Sequence, residues 1–134
     1  MRLSLSKVAQ VVGASVLSTD VLIDSVDIDT RLLSEGALYV ALTGETHDGH
    51  DFVGSASKAG AVAVLVDRPV KTDLPQILVK DTLKAFQMLA AFWRNQFDIP
   101  VVAITGSCGK TTTRHILAAL LAAKAPTMAS IKSY

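Results

Sequence analysis

Between residues 106 and 112, two glycines, a lysine and two threonines are spaced so that main-chain and side-chain groups could hold a polyphosphate together. Gly106 and Gly109 can take backbone angles closed to other residues and let N–H groups approach phosphate oxygens. Lys110 would add a full charge at the β and γ phosphates. Thr111 would supply the hydroxyl that such loops use to hold magnesium, and Thr112 a second hydroxyl for a phosphate oxygen. With Thr105, Ser107 and Cys108 these residues make a candidate ATP site, in which Lys110 is the catalytic cation and Thr111 the Mg2+ ligand. The common search pattern asks for glycine five residues before Gly109, where this chain has Ile104, but Gly106 keeps a glycine inside the loop. An ordinary glycine turn ahead of a lysine is the bland alternative.

A second polar constellation lies earlier. Asp29-Thr30-Arg31 follows an alternating stretch at residues 21–28, and such polar residues at a strand end are often only turn formers. Residues 43–51 hold two histidines and two aspartates. Their H-x-x-H spacing lacks the i, i+4 geometry that makes metal ligands converge on a helix, so contact with a ligand is the better expectation.

The elements that must position these groups follow from periodicity. Residues 101–104 form a short β-branched run expected as a buried strand, and residues 113–123 place Ile116, Leu117, Leu120 and Leu121 on one helical stripe. The loop would then sit where a strand meets the positive end of a helix dipole. Near the N-terminus, Ser4 or Ser6 can cap a helix in which Val8, Val11 and Val12 share a face, with Gly13 ending it. Residues 21–28 read as one half-buried strand and residues 37–42 as another. Asp51 can cap a helix with Phe52, Ala56 and Ala59 inward, and Gly60 stops it. Residues 61–66 are a continuous apolar strand, so residues 38–66 should contain a parallel strand pair. A short strand at 76–79 precedes a long helix from Asp81 or Thr82, with Leu83, Phe86, Leu89, Ala90, Trp93 and Phe97 as its core stripe. Residues 126–129 read as the start of a further strand. The chain stops at Tyr134, soon after, which suggests a fragment, a truncated product or a chain that a partner completes.

Composition excludes several classes. Half of the 134 residues are hydrophobic, 19% are charged and the formal net charge is +1, which leaves no basic stripe for nucleic acid and no disordered tail. The single cysteine forbids an internal disulfide and fits a reducing compartment. Polar Ser6, Lys7 and Gln10 interrupt the apolar stretch that a signal peptide needs, and no apolar run approaches the ~20 residues of a spanning helix. A soluble, cytoplasmic protein with a small-molecule partner is expected.

These motifs together resemble the Mur ligases of peptidoglycan synthesis. The family pattern of Asp-[Ser/Thr]-Arg, glycine, an apolar strand and glycine is matched by Asp29-Thr30-Arg31, Gly36, residues 38–42 and Gly44, and the family's phosphate loop, which also lacks the earlier glycine, by residues 104–111. Gly44-Glu45 and residues 48–52 resemble the branch that adds D-alanyl-D-alanine, whereas the tripeptide-forming branch usually has Asp-Gly-Arg there. Folylpolyglutamate synthetases have a similar loop, but usually place glycine after its lysine and lack the Asp-Thr-Arg domain.

The resemblance implies a small N-terminal α/β domain for a uridine nucleotide, residues 1–81, followed by the start of a P-loop ATPase domain with a parallel sheet, residues 82–134. It implies a ligase of cell-wall synthesis that uses ATP and Mg2+ to join UDP-N-acetylmuramoyl-tripeptide and D-alanyl-D-alanine through an acyl phosphate, monomeric when full length. Thr30, Arg31, Gly44 and His50 carry over as contacts to the uridine nucleotide, Arg31 suiting a diphosphate. A nucleotide-binding module without catalysis, the tripeptide-forming branch and an unrelated P-loop kinase stay open as alternatives.

Overall fold

Ser4 begins the first helix by accepting a hydrogen bond from the Lys7 N–H, and Gly13 ends it in the left-handed conformation, φ 70°. This helix, α1 (Leu5–Val12), follows the two-residue strand β1 (Leu3–Ser4) and buries Leu5, Val8, Ala9 and Val12. The computed structural model describes residues 2–15 and 19–130, and by packing the chain divides into two compact units, Met1–Phe97 and Asp98–Tyr134.

The first unit is built on a parallel sheet of β3 (Ser25–Asp27), β4 (Ala37–Val40), β5 (Ala61–Val66) and β6 (Gln76–Leu78), in that spatial order. The expected strand over 21–28 is two strands. β2 (Leu22–Ile23) pairs antiparallel with β1, and the chain then crosses at Asp24, whose N–H donates to the Gly36 carbonyl, and joins the parallel sheet as β3. The parallel pair expected within residues 38–66 is present as β4 and β5.

Alternation along β4 serves both faces of the sheet. Leu38 and Val40 pack with α1 and with α3 (Thr82–Arg94), while Tyr39 and Ala41 pack with α2 (Val53–Lys58). A register irregularity opposite Ala37/Leu38 lets Ala61 and Val64 of β5 share one face. Full burial of each Leu or Val of this sheet is worth about 1.5–3 kcal/mol, so the two faces fix the strand ends firmly.

Helix α3 differs from its expected stripe. Asp81 caps it, accepting from the Lys84 N–H, and Thr82, Ala85 and Leu89 are the buried positions, while Leu83 and Phe97 are exposed. The aromatics lie at the rim, where Trp93 and Phe97 meet edge to face at 5.4 Å. Because α3 packs on α1, the first compact unit extends through Phe97. Before α2, a single 3-10 turn (Gly49–Phe52) is capped by Asp48 rather than Asp51, and Val53 and Ala56, not Phe52 and Ala59, turn inward.

In the second unit, α4 (Lys110–Ala122) forms as its stripe predicts, starting at Gly109. Residues 101–104 are not a strand: Val101 and Val102 are exposed, and no strand of this unit stands beside them among the described residues. A strand requires a hydrogen-bonded neighbour, so an apolar run alone does not make one. For the same reason Ile116, Leu120 and Leu121 lie exposed, and residues 126–129 are irregular.

Candidate functional site

In open parallel sheets, ligands bind outside the carboxyl ends of the strands. That edge here gathers the segments after β3, β4, β5 and β6. After β3, Asp27 Oδ1 accepts from the N–H groups of Ile28 and Asp29, at 2.7 and 3.0 Å. Asp29 Oδ1 then accepts from the Arg31 N–H at 3.0 Å and from Arg31 Nε at 2.9 Å, and Asp29 Oδ2 from Arg31 Nη2 at 2.6 Å. The triplet is therefore a turn, as its residue types suggest, and one that holds a guanidinium flat against a carboxylate. These bonds raise the Arg31 pKa above its ordinary value. With its side chain 85% exposed, Arg31 offers a fixed, charged edge to solvent. Thr30 is half-buried beside it.

After β4, residues 43–51 form a tight loop rather than a loose one. Thr43 and Asp48 pair as an isolated antiparallel bridge, the Gly44 N–H donates to the His47 carbonyl at 2.9 Å, and the Gly49 N–H donates to the Leu42 carbonyl at 2.8 Å. The Tyr39 hydroxyl donates to the Gly49 carbonyl at 3.0 Å, and burial pushes the phenol pKa up. A Cβ at Gly49 would lie 2.7 Å from the Leu42 nitrogen, so only glycine lets the loop seat this close to β4. The tip, residues 44–47, is exposed.

Asp48 is the centre of the loop's polar bonds. Its Oδ1 accepts from the His50 N–H at 3.0 Å and from His50 Nδ1 at 2.6 Å, and its Oδ2 accepts from Arg68 Nη2. The main-chain bond from His50, then its ring and then Arg68 hold the Asp48 carboxyl well below the usual carboxylate range. His50 is enclosed, its side chain 3% exposed, and its Nε2 accepts from the Asp67 N–H at 3.2 Å. That acceptance requires the proton on Nδ1, where it faces Asp48. Both ring nitrogens are thus engaged inside the protein, so His50 shapes the loop instead of presenting its ring outward. Gly44, by contrast, is exposed at the tip.

Thr30, Arg31 and Gly44 stand on loops after neighbouring strands, and His50 lies beneath the second of them. Arg68 lies two residues past the end of β5. It spans Asp48 and Asp67, with Nη1 3.0 Å from Asp67 Oδ1. The available signal was an acid–base pair directly after an apolar run, at the carboxyl end of a parallel strand. Among the described residues, no cluster of three or more His, Cys, Asp or Glu side chains is arranged to hold a metal, and no helix is long and apolar enough to cross a membrane.

In the second unit, residues 105–109 lead into α4 with Gly106 at φ 153° and Gly109 at φ 75°, conformations that favour glycine. Lys110 folds its ammonium back across the loop onto the Gly106 carbonyl at 2.7 Å. Thr105, Ser107, Cys108, Thr111 and Thr112 are all exposed around it. The first turn of a helix carries N–H groups that find no acceptor a turn earlier, and its dipole is positive there. The arrangement is a cationic, backbone-lined rim suited to phosphate oxygens.

The description "Mur ligase family, catalytic domain" matches residues 22–94. A UDP-N-acetylmuramoyl-tripeptide--D-alanyl-D-alanine ligase from Synechocystis sp. is 50% identical over 108 residues, 78% of this chain and 24% of that protein. The crystal structure of MurF from Acinetobacter baumannii superposes with a TM-score of 0.85 at 31% identity, covering 94% of this chain and 29% of that one. A MurF ligase from Thermotoga maritima in complex with ADP superposes with a TM-score of 0.64 at 37% identity, covering 75% of this chain and 23% of that one. The chain spans about a quarter of the length of the curated relative from Synechocystis.

Proposed function

Because the chain belongs to the Mur ligase family, we propose that it is part of an ATP-dependent ligase that adds D-alanyl-D-alanine to UDP-N-acetylmuramoyl-tripeptide in peptidoglycan synthesis. The supporting observation is the pairing, in one chain, of a braced polar edge after β3 and β4 with a glycine–lysine loop at the start of α4. In this reading the first unit holds the uridine nucleotide and the second begins the ATPase domain. Arg31, preset by Asp29, meets the diphosphate, with Thr30 and the Gly44 main chain beside it. His50 acts from beneath by fixing the loop.

The reaction is a phosphoryl transfer followed by an acyl transfer. A carboxylate oxygen of the tripeptide bonds to the γ-phosphorus of ATP as the bond to ADP breaks. The amine of D-alanyl-D-alanine then bonds to the acyl carbon, phosphate leaves, and the amine gives up its proton. Charge must be neutralised where anions meet, which Lys110 and the loop N–H groups would do. The residues present fit Mg2+ to the extent that Thr111, an exposed residue, carries one hydroxyl, since this ion commonly keeps several waters and takes its other ligands from phosphate oxygens. The ion would supply further positive charge at the transferring group. In the cell such a ligase would be cytoplasmic and act in wall growth and division.

Calorimetric titration of the 134-residue chain with Mg-ATP and, separately, with UDP-N-acetylmuramoyl-tripeptide tests both halves. Saturable binding of each is expected. Binding of neither would remove the reading. With both substrates and ATP present, mass spectrometry should find no amide product, because the chain spans only a fraction of its relatives, and catalytic turnover would overturn that part.

A further inference from the structure

We propose that Arg68 is a positioning residue, which from the end of β5 sets the conformation in which the turn 44–47 meets the substrate nucleotide. The inference rests on reading residues 43–51 as the substrate side. The turn itself is exposed. Among the described residues it is held across its tip by the bond from Gly44 to His47, at its side by the His47 ring near Phe52, and at its base by the Thr43–Asp48 bridge and side-chain bond. The base therefore depends on Asp48. That carboxylate belongs to a closed ring: Asp48 accepts from His50 Nδ1, His50 Nε2 accepts from the Asp67 N–H, Asp67 Oδ1 accepts from Arg68 Nη1, and Arg68 Nη2 returns to Asp48. Arg68, alongside the bond from Asp67 to His50, ties the loop after β4 to the segment that follows β5.

Two features separate positioning from mere stabilisation. Arg68 is half exposed, and ion pairs at such places add little to folding stability, so a device kept only for stability would be poorly sited. The planar guanidinium also reaches two carboxylates with separate nitrogens, which fixes an angle as well as a charge. A lysine at this position would keep the charge but not the fork. Without Arg68, Asp48 and Asp67 face each other across His50 alone, and the carboxylate at the base of the turn loses its forked tie to the segment after β5.

The test compares the 134-residue chain with its Arg68→Ala and Arg68→Lys variants. Amide hydrogen exchange at residues 44–50, affinity for UDP-N-acetylmuramoyl-tripeptide and the urea midpoint are measured on each. Arg68→Ala should speed exchange in the turn and weaken binding, each by about tenfold, with the urea midpoint nearly unchanged, and Arg68→Lys should recover part of both. Lost affinity with unchanged exchange would overturn the proposal, since Arg68 would then touch the ligand itself. Unchanged exchange with unchanged affinity would overturn it too. Should Arg68→Ala fail to fold, the lysine variant carries the same comparison. A wild-type chain that binds no uridine nucleotide overturns the reading of the loop, and the exchange data then decide alone whether Arg68 sets the turn.

Discussion

The Tyr39 hydroxyl donates to the Gly49 carbonyl at 3.0 Å, so the buried middle of β4 holds the loop that leaves the end of the same strand. Tyr39 is 2% exposed, and the bond is made where water does not compete. Tyr39→Phe keeps the ring and removes only the donor. It should cost about 1–2 kcal/mol in urea unfolding and raise amide exchange across residues 43–50. An unchanged exchange pattern would mean that the loop is held without this bond.

Gly49 is needed for space, not for its backbone angle. An added Cβ would meet main-chain atoms of Leu42, just past the end of β4, at 2.7 and 2.8 Å, and main chain cannot swing aside as the end of a flexible side chain can. Gly49→Ala should destabilise the chain by about 1–3 kcal/mol, the scale of overpacking. Gly54, within α2, has nothing within 4 Å of an added Cβ. Gly54→Ala should therefore have the opposite sign, stabilising by about 0.5–1 kcal/mol. Chemical denaturation of the two variants checks both, and equal effects would contradict the packing around Gly49.

The depressed pKa of Asp48 fixes a sign for acid sensitivity. Its folded value lies below the ordinary aspartate value of about 3.9, so its contribution is fully present above that value and is lost as pH falls through the folded one. The stability difference between wild type and Asp48→Asn should be constant above about pH 5 and shrink below about pH 4. Asp20, also depressed through its bonds to Ser6, is common to both chains and cancels. A difference independent of pH down to about 2 would show that the carboxylate is not stabilised as the geometry requires.

What could be read from sequence was what local chemistry decides. Ser4, Gly13 and Asp81 mark helix ends because their side-chain and backbone preferences act over a few residues, and the run 61–66 is a strand in any apolar surrounding that offers a neighbour. The break at Asp24 was not legible, because it depends on the carbonyl of Gly36. The strand expected at 101–104 failed for a related reason: the β-branched run was present, but no pairing partner stands beside it in its unit among the described residues. At the site, Asp29 and Arg31 are neighbours in sequence and were legible as a unit. Asp48 and Arg68 lie 20 positions apart, and only the parallel order of β4 and β5 brings them together.

Lys110 makes its bond to the Gly106 carbonyl on an exposed loop, so the fold does not depend on it. Lys110→Ala should leave the circular dichroism spectrum and urea midpoint unchanged. It should weaken Mg-ATP binding by about 10- to 100-fold, the equivalent of one or two hydrogen bonds between charged groups. Titration with a fluorescent ATP analogue measures this directly. Affinity within about a factor of two of wild type would count against phosphate contact by this lysine.

At Asp29-Thr30-Arg31, a turn former and a ligand contact predict different outcomes for the same substitution. The turn needs the Asp29 carboxylate and the Arg31 N–H, and any residue at position 31 except proline keeps that bond. The guanidinium adds three further bonds to the two Asp29 carboxylate oxygens, at a place where its side chain is 85% exposed. Arg31→Ala should therefore leave stability unchanged while weakening UDP-N-acetylmuramoyl-tripeptide binding by about 10- to 100-fold, as loss of a charge-assisted contact to a diphosphate does. Asp29→Asn keeps an acceptor for the turn but releases the guanidinium, so it should weaken binding less and mostly through a slower association rate. If Arg31→Ala lowers stability and keeps its affinity, the triplet is a turn and nothing more, and the diphosphate must be held elsewhere on the edge.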